Sequence, residues 1–110
     1  MPYQPTSTFE QAAYLLKGIA HPLRMQILKL LEQTPGLSVT DLMDRLQAEQ
    51  SLVSHHLTRM RRKGLVVAER EGKNAYYSLS DQRFVTIIDL ILDSRQLKAL
   101  LGKAARGLAT

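Results

Sequence analysis

One segment, residues 51–64 (SLVSHHLTRMRRKG), restricts the fold of this chain more than any other. Its residues Val53, Leu57 and Met60 follow the i, i+4, i+7 spacing of one narrow apolar stripe on a helix, and Gly64 is a typical helix stop. Such a helix packs one edge against a core and leaves its other sides exposed. Because those sides carry hydrogen-bonding and positively charged residues, we predict a polar surface helix on a small helical domain.

Three helices are predicted before this one. Apolar residues recur three and four positions apart within residues 9–20. A second such pattern begins at Pro22, a residue favoured in the first turn of a helix, and stops before Pro35. A third, shorter helix follows, with Ser38 or Thr40 as its N-terminal cap. The polar surface helix is therefore the fourth helix of the chain.

The pattern changes after the fourth helix. Residues 65–68 and 75–79 are β-branched or aromatic runs that flank a polar loop, which predicts a β-hairpin with a basic tip. A last helix after Ser80-Asp81 is apolar on more than one side, an excess that favours a dimer interface. Residues 94–110 are predicted as a helical extension and residues 1–7 as a flexible leader. We expect one domain for the whole chain, mainly α with a small β-hairpin.

Positive charge is concentrated in one part of the sequence. The chain has 15 Lys and Arg against 10 Asp and Glu, a formal net charge of +5. Residues 59–73 hold six of the basic residues and two of the acidic ones, so this stretch alone contributes +4. A local excess of this kind favours a polyanionic partner such as nucleic acid.

Several classes of function are disfavoured by what the sequence lacks. Without any cysteine, the chain cannot form a disulfide, a thiolate metal site or an iron–sulfur cluster. It has no glycine-rich phosphate loop, serine nucleophile motif or HExxH motif, so we expect no enzyme and no cofactor. No apolar run approaches the roughly 18 residues of a membrane span, and no signal peptide is recognisable. We therefore expect a cytoplasmic protein with no membrane partner.

A family resemblance rests on four segments in one order: AHPLRMQILKLL at 20–31, LSVTDLMDRL at 37–46, QSLVSHHLTRMRRKGLV at 50–66 and REGKNAYYSL at 70–79. Over about residues 9 to 92, the chain resembles the ArsR/SmtB family of small dimeric bacterial repressors. The resemblance implies a winged helix-turn-helix fold, homodimeric through its first and last helices. It also implies double-stranded DNA as the partner, bound at a pseudo-palindromic operator whose half-sites lie about 34 Å apart.

The resemblance also implies roles for individual residues. In the family the fourth helix contacts the DNA bases, which at matching positions gives Gln50, Ser51, Ser54, His55, His56 and Thr58. Residues facing phosphate would be Arg59, Arg62 and Lys63 on that helix and Arg70, Lys73 and Asn74 on the hairpin, the wing, whose root Tyr76 or Tyr77 would brace. Residues at the dimer interface would be Phe9, Leu16, Phe84, Ile87, Ile88, Ile91 and Leu92.

The sequence departs from the family at its sensor sites. Ser38 and Thr40 stand where a soft-metal site would need thiolates, and a zinc site would need histidines in the last helices, where this chain offers Asp89 and Asp93 but no histidine. We therefore expect neither metal site. A regulator of this kind would respond to an unidentified effector that does not use a thiol.

Two other functions stay open at this point. The same scaffold serves as a protein-interaction module in which the basic face is incidental. A metal-responsive regulator is the other, with carboxylates and His21 at an unrecognised site. The His55-His56 pair does not itself indicate a metal, because adjacent side chains on a helix point about 100° apart. For His21, beside Pro22, a structural hydrogen bond to the backbone is the simpler interpretation.

Overall fold

The computed structural model describes residues 6–109 and contains six helices and one hairpin within that range. Met1 to Pro5 of the predicted leader, and Thr110, lie outside the described residues. The elements in chain order are α1 (Thr8–Ile19), α2 (Pro22–Gln33), α3 (Val39–Leu46), α4 (Gln50–Lys63), β1 (Val66–Glu71), β2 (Asn74–Leu79), α5 (Arg83–Leu92) and α6 (Ser94–Ala109).

Local capping chemistry sets the helix starts. His21 precedes Pro22 and caps α2, because its Nδ1 accepts a hydrogen bond from the backbone N–H of Leu23 at 3.1 Å. Ser38 caps α3 and forms a reciprocal capping box with Asp41, each side chain accepting from the other's backbone N–H. The structure thus selects Ser38 over Thr40 and gives His21 the structural role that the sequence favoured.

The core lies between α2, α3, α4, the start of the hairpin and α5. The predicted stripe of α4 is confirmed, since Val53, Leu57 and Met60 have no exposed surface. Around them pack the fully buried side chains of Ile27, Leu28, Leu31, Leu42, Leu65, Val66, Val85 and Ile88. One edge of α4 therefore completes the core. This packing leaves the other side of the helix exposed at the surface.

The hairpin is longer than the sequence predicted. The antiparallel pairing runs from Val66 opposite Leu79 to Glu71 opposite Asn74, so only two residues make the turn. Gly72 occupies the first turn position at φ 61°, a backbone conformation that suits glycine. The additional strand pairs include residues 69–71 and 74, polar positions that the sequence predicted to lie in a loop.

Backbone hydrogen bonds attach the root of the hairpin to the loop between α2 and α3. Tyr77 donates its N–H to the carbonyl of Leu37 at 2.8 Å and accepts from the N–H groups of Leu37 and Gly36. Tyr77 is thus the residue whose backbone attaches the wing to the helical body.

The last helical region is broken in two. At Asp93 the backbone leaves the helical conformation, with φ −52° and ψ 118°, and α6 starts at the next residue. The Asp93 carboxylate accepts from the backbone N–H of Arg95 at 3.1 Å, which supports the new helix start. No helix within residues 6–109 is long and apolar enough to cross a membrane.

The residues predicted for a dimer interface fall into two groups. Ile88 is 1% exposed within the core of the single chain, so the prediction for Ile88 is wrong. Phe84 packs partly against the same core, and Ile87 is half-buried. By contrast, large fractions of four predicted side chains are exposed: Phe9, Leu16, Ile91 and Leu92.

Candidate nucleic-acid interface

The exposed side of α4 changes character along the helix. Its first turns present small polar side chains, with Ser54 half-buried and Gln50, Ser51, His55 and Thr58 exposed. Its last turns present the exposed guanidinium groups of Arg59, Arg61 and Arg62. A helix of this shape fits the major groove of B-DNA, where small polar groups approach base edges and cations meet phosphates.

His55 forms a hydrogen bond with the basic part of the helix. Arg59, one turn further on, donates its Nε–H to His55 Nε2 at 3.2 Å. The neutral imidazole then carries its hydrogen on Nδ1, which leaves an exposed donor beside the arginine. The hydrogen bond from Arg59 therefore fixes which ring nitrogen of His55 accepts and which carries the hydrogen.

His56 faces the opposite way. It is 4% exposed, its Nδ1 accepts from Arg24 Nε at 2.9 Å, and its ring centroid lies 4.3 Å from that of His21. The predicted base contact by His56 is therefore wrong. Its position was readable from the sequence, because residue 56 lies three residues after Val53 and four before Met60, on the same side of the helix.

Lys63 belongs to a contact between helices. Its ammonium donates to the backbone carbonyl of Tyr14 at 2.9 Å and lies 4.0 Å from the centre of the Tyr14 ring. Partial burial, and then the nearby cations Arg24, Lys17 and Arg59, lower the pKa of Lys63. The ammonium thus joins α4 to α1, which contradicts the predicted phosphate contact.

The wing presents two further cations and one amide side chain. Arg70, Lys73 and Asn74 are exposed at the end of the hairpin, where the sequence predicted a basic tip. Within the described part of the chain, neither Arg70 nor Lys73 has a carboxylate within ion-pair distance. Both cations are therefore available to an external anion.

A cleft of about 390 Å³ lies between α4 and the root of the wing, and Arg61 lines it. The other lining residues are Thr58 and Arg62 on the helix and Tyr77 on the hairpin. Arg61 was not among the predicted phosphate contacts, although residues 58, 61 and 62 share one side of a helix. Two guanidinium groups beside two hydroxyl-bearing side chains form an environment suited to a phosphate oxygen.

A metal site is not formed by the described residues. Between residues 6 and 109, no three histidine or acidic side chains are arranged to hold a metal ion. His21 uses its Nδ1 to cap α2, and His56 uses its Nδ1 to accept from Arg24.

Sequence comparison identifies similar proteins over most of the chain. A profile of the family described as bacterial regulatory protein, arsR family, matches residues 21–67. The chain is also similar to an HTH-type transcriptional regulator of Methanocaldococcus jannaschii, with 36% identity over 83 residues that cover 76% of this chain and 93% of that protein.

Solved structures show the same architecture. HlyU from Vibrio cholerae superposes with a TM-score of 0.69 at 38% identity, covering 77% of this chain and 91% of that one. The transcriptional repressor PagR of Bacillus anthracis superposes with a TM-score of 0.69 at 38% identity, covering 76% and 95% of the two chains. The winged helix-turn-helix fold predicted from the sequence is therefore confirmed.

Proposed function

Because this chain belongs to the arsR family of bacterial regulatory proteins and is a DNA-binding transcriptional regulator, we propose that two copies bind a pseudo-palindromic operator. In this arrangement each copy places its α4 helix in one of two successive major grooves, about 34 Å apart. The single observation that carries the proposal is the exposed side of α4, polar at its start and cationic at its end, with the basic wing beside it.

Base recognition is assigned to the first half of α4. Gln50, Ser51, Ser54, His55 and Thr58 have at least part of their surface exposed on the side away from the core. Short hydroxyl and amide side chains let the helix backbone approach the groove floor, where they donate to and accept from base edges. This set omits His56, because its ring is buried against Arg24 and His21.

Phosphate binding is assigned to the cations around these residues and to one amide side chain on the wing. Arg59 and Arg62 lie on α4, and Arg70, Lys73 and Asn74 lie on the wing. Arg61 joins them through the cleft between helix and wing. Phosphate contacts fix the position of a protein on DNA and make binding depend on salt, but they carry no sequence information.

The homodimer is proposed from apolar surface that the single chain leaves uncovered. Phe9 is 88% exposed, and Leu16, Ile91 and Leu92 are each close to half exposed. Together these side chains give α1 and α5 an apolar surface that a second copy can bury, and exposed patches of this kind mark interaction sites. Half-buried Phe84 and Ile87 would contribute at the edge of this surface.

Repression in the cytoplasm is the proposed physiological role, with release by an effector that binds no thiol, since the chain has no cysteine. Both directions of control occur among similar proteins: the Bacillus anthracis relative is named a transcriptional repressor and the Vibrio cholerae relative a transcriptional activator. A reporter fused to the operator, with and without the protein, determines the direction for this chain.

The experiment that tests the proposal is a fluorescence-anisotropy titration at several salt concentrations. The probes are a labelled duplex from the region upstream of the protein's own coding sequence and a scrambled duplex of equal length. We expect the upstream duplex to bind about a thousandfold or more tightly than the scrambled one, with log K falling steeply as log salt rises. Equal and weak binding to both duplexes would reject the proposal and favour a protein-interaction module.

A further inference from the structure

Arg24 lies where α1, α2 and α4 meet. Its Nε donates to Nδ1 of His56 in α4 at 2.9 Å, and its Nη1 lies 3.4 Å from the backbone carbonyl oxygens of Lys17 and Gly18, to which it also donates. These two carbonyls belong to the last turn of α1, which ends at Ile19, so they lack partners within their own helix. We call these three hydrogen bonds the Arg24 clasp, because one guanidinium joins the end of α1 to the middle of α4.

The clasp depends on the protonation state of His56. A ring nitrogen that accepts from Arg24 carries no hydrogen, so the neutral imidazole of His56 has its hydrogen on Nε2. Nε2 is buried and has no hydrogen-bond partner among the residues that the structure describes. A second proton would bind at Nδ1, where it would turn the acceptor into a donor facing the donor of Arg24.

The surroundings of His56 do not compensate a positive charge. Burial lowers the pKa of His56 from its ordinary value of 6.5, and the neighbouring His21, Arg24, His55 and Arg59 lower it further. His21 and Arg24 face it from the start of α2, and the other two face it from α4 itself. None of these groups is acidic, so a proton on His56 would add a charge to a basic cluster.

We infer that Arg24 is a positioning residue for α4, and that uptake of a proton by His56 opens the Arg24 clasp and weakens operator binding. The inference rests on the proposed role of α4 in contacting DNA bases. An open clasp removes one of the links between α1 and α4 and leaves the Lys63–Tyr14 contact, so α4 is held less firmly in its orientation relative to a helix of the proposed dimer interface. Binding two half-sites at once requires that orientation in both copies.

The direction of the pH effect follows from proton linkage. The unfolded chain binds a proton at His56 near pH 6.5, whereas the folded chain binds it only at lower pH. Between these two pKa values the unfolded state holds more protons, so folding stability falls as the pH drops below 6.5. Operator affinity falls at lower pH, where the folded chain itself takes up the proton, by at most about tenfold per pH unit for one group.

The variant that tests the switch is His56→Asn, whose amide oxygen can accept from Arg24 but cannot titrate. The matched control is His21→Asn, which removes another histidine of the cluster and keeps a good N-cap for α2. The upstream duplex described above is titrated with each protein from about pH 7.5 to about pH 5. We expect wild type and His21→Asn to lose more affinity over this range than His56→Asn, with the difference growing toward the acid end. Equal losses in wild type and His56→Asn overturn the inference.

A measurement without DNA tests the clasp separately from the function. Arg24→Lys keeps the positive charge but removes the Nε donor, and we expect amide hydrogen exchange in α4 to become about tenfold faster at neutral pH, with the chain still folded. Unchanged exchange would show that the clasp does not hold α4, which overturns the inference. This comparison tests the clasp even if His56→Asn does not fold. Failure of the wild-type protein to prefer the upstream duplex rejects the proposed function, whereas the exchange result depends on the clasp alone.

Discussion

The ammonium of Lys63 lies 4.0 Å from the centre of the Tyr14 ring and donates to the backbone carbonyl of the same residue at 2.9 Å. One lysine therefore makes two contacts with α1 from the last position of α4. A cation over an aromatic ring and a charge-assisted hydrogen bond each stabilise a fold modestly. The same contacts keep the ammonium away from the exposed side of α4.

Removing this side chain is expected to affect stability more than DNA binding. We predict that Lys63→Met, which keeps most of the aliphatic stem, lowers the free energy of unfolding by about 1–2 kcal/mol. Urea unfolding measures this loss. The slope of log K against log salt for the upstream duplex should stay that of wild type, whereas a slope about one unit shallower would place Lys63 on phosphate after all.

Close packing of α1 against the end of α4 makes a second prediction. A Cβ atom added at Gly18 would lie 2.6 Å from Leu65 Cδ1 and 2.8 Å from Lys63 Cδ. Leu65 is fully buried and Lys63 is held by Tyr14, so neither can move without loss. We expect Gly18→Ala to destabilise the protein by about 1–3 kcal/mol in urea unfolding.

The matched control for that substitution is Gly107→Ala in α6, where no atom of the described residues lies within 4 Å of the added methyl group. Because alanine favours helix over glycine, the control should be neutral or stabilising by up to about 1 kcal/mol. Equal effects of the two substitutions would show that helix propensity, and not the contact with Leu65, governs the response at Gly18.

The two proposed classes of DNA contact are separable by substitution. Ser54→Ala or His55→Ala removes a group assigned to bases, so we predict a smaller affinity ratio between the upstream and scrambled duplexes. Arg70→Ala or Lys73→Ala removes a phosphate contact, so both duplexes should weaken alike and the salt slope should become about one unit shallower for each. Uniform weakening by Ser54→Ala and His55→Ala would contradict their assignment to bases.

A phosphate contact by Arg61 is predicted from the structure and was not predicted from the sequence. Since its guanidinium lines the cleft between α4 and the wing root, we expect Arg61→Ala to weaken both duplexes and flatten the salt slope by about one unit. Arg45→Ala is the control, because Arg45 is an exposed arginine on α3 that does not line this cleft. Indistinguishable salt slopes for the two variants would mean that the cleft holds no phosphate.

Features that depend on residues close in the sequence were predicted correctly, whereas those that depend on distant residues were not. The stripe of α4, the cap of α3 at Ser38 or Thr40 and the presence of the hairpin depend on neighbouring residues, and periodicity, cap chemistry and the β-branched runs predicted all three. The burial of His56 follows from its place beside the α4 stripe, but its partner Arg24 and the Lys63 partner Tyr14 lie 32 and 49 residues earlier in the chain. A polar residue on a helix can satisfy its hydrogen bonds with a distant element as well as with solvent or DNA, and local sequence does not distinguish these cases.

The same reasoning separates Ile88 from Ile91 in the dimer prediction. Both belong to the apolar pattern of α5, but Ile88 is 1% exposed whereas Ile91 is 49% exposed. The pattern shows that α5 has more apolar surface than one packing face needs. Only the packed structure shows which of these residues belong to the core. Truncation before α5 would remove Val85 and Ile88 from that core, so it would unfold the chain rather than isolate a monomer.

A substitution at Ile91 tests the dimer without disturbing the core. Because about half of this side chain is exposed in the single chain, Ile91→Lys should leave the monomer folded while placing a charge in the proposed interface, where an unpaired charge is costly. We predict a shift from dimer to monomer in light scattering and a loss of at least about a hundredfold in affinity for the two-half-site duplex.

Ile91→Leu is the control, since it retains the apolar surface and should remain dimeric. Affinity for a duplex carrying one half-site should change little in Ile91→Lys, because each α4 helix and its wing are intact. A monomeric Ile91→Lys protein that still binds the full operator with wild-type affinity would show that the two copies do not need this interface to bind DNA. A dimeric Ile91→Lys protein would instead move the interface away from the exposed end of α5, toward surfaces that include Phe9 and Leu16 on α1.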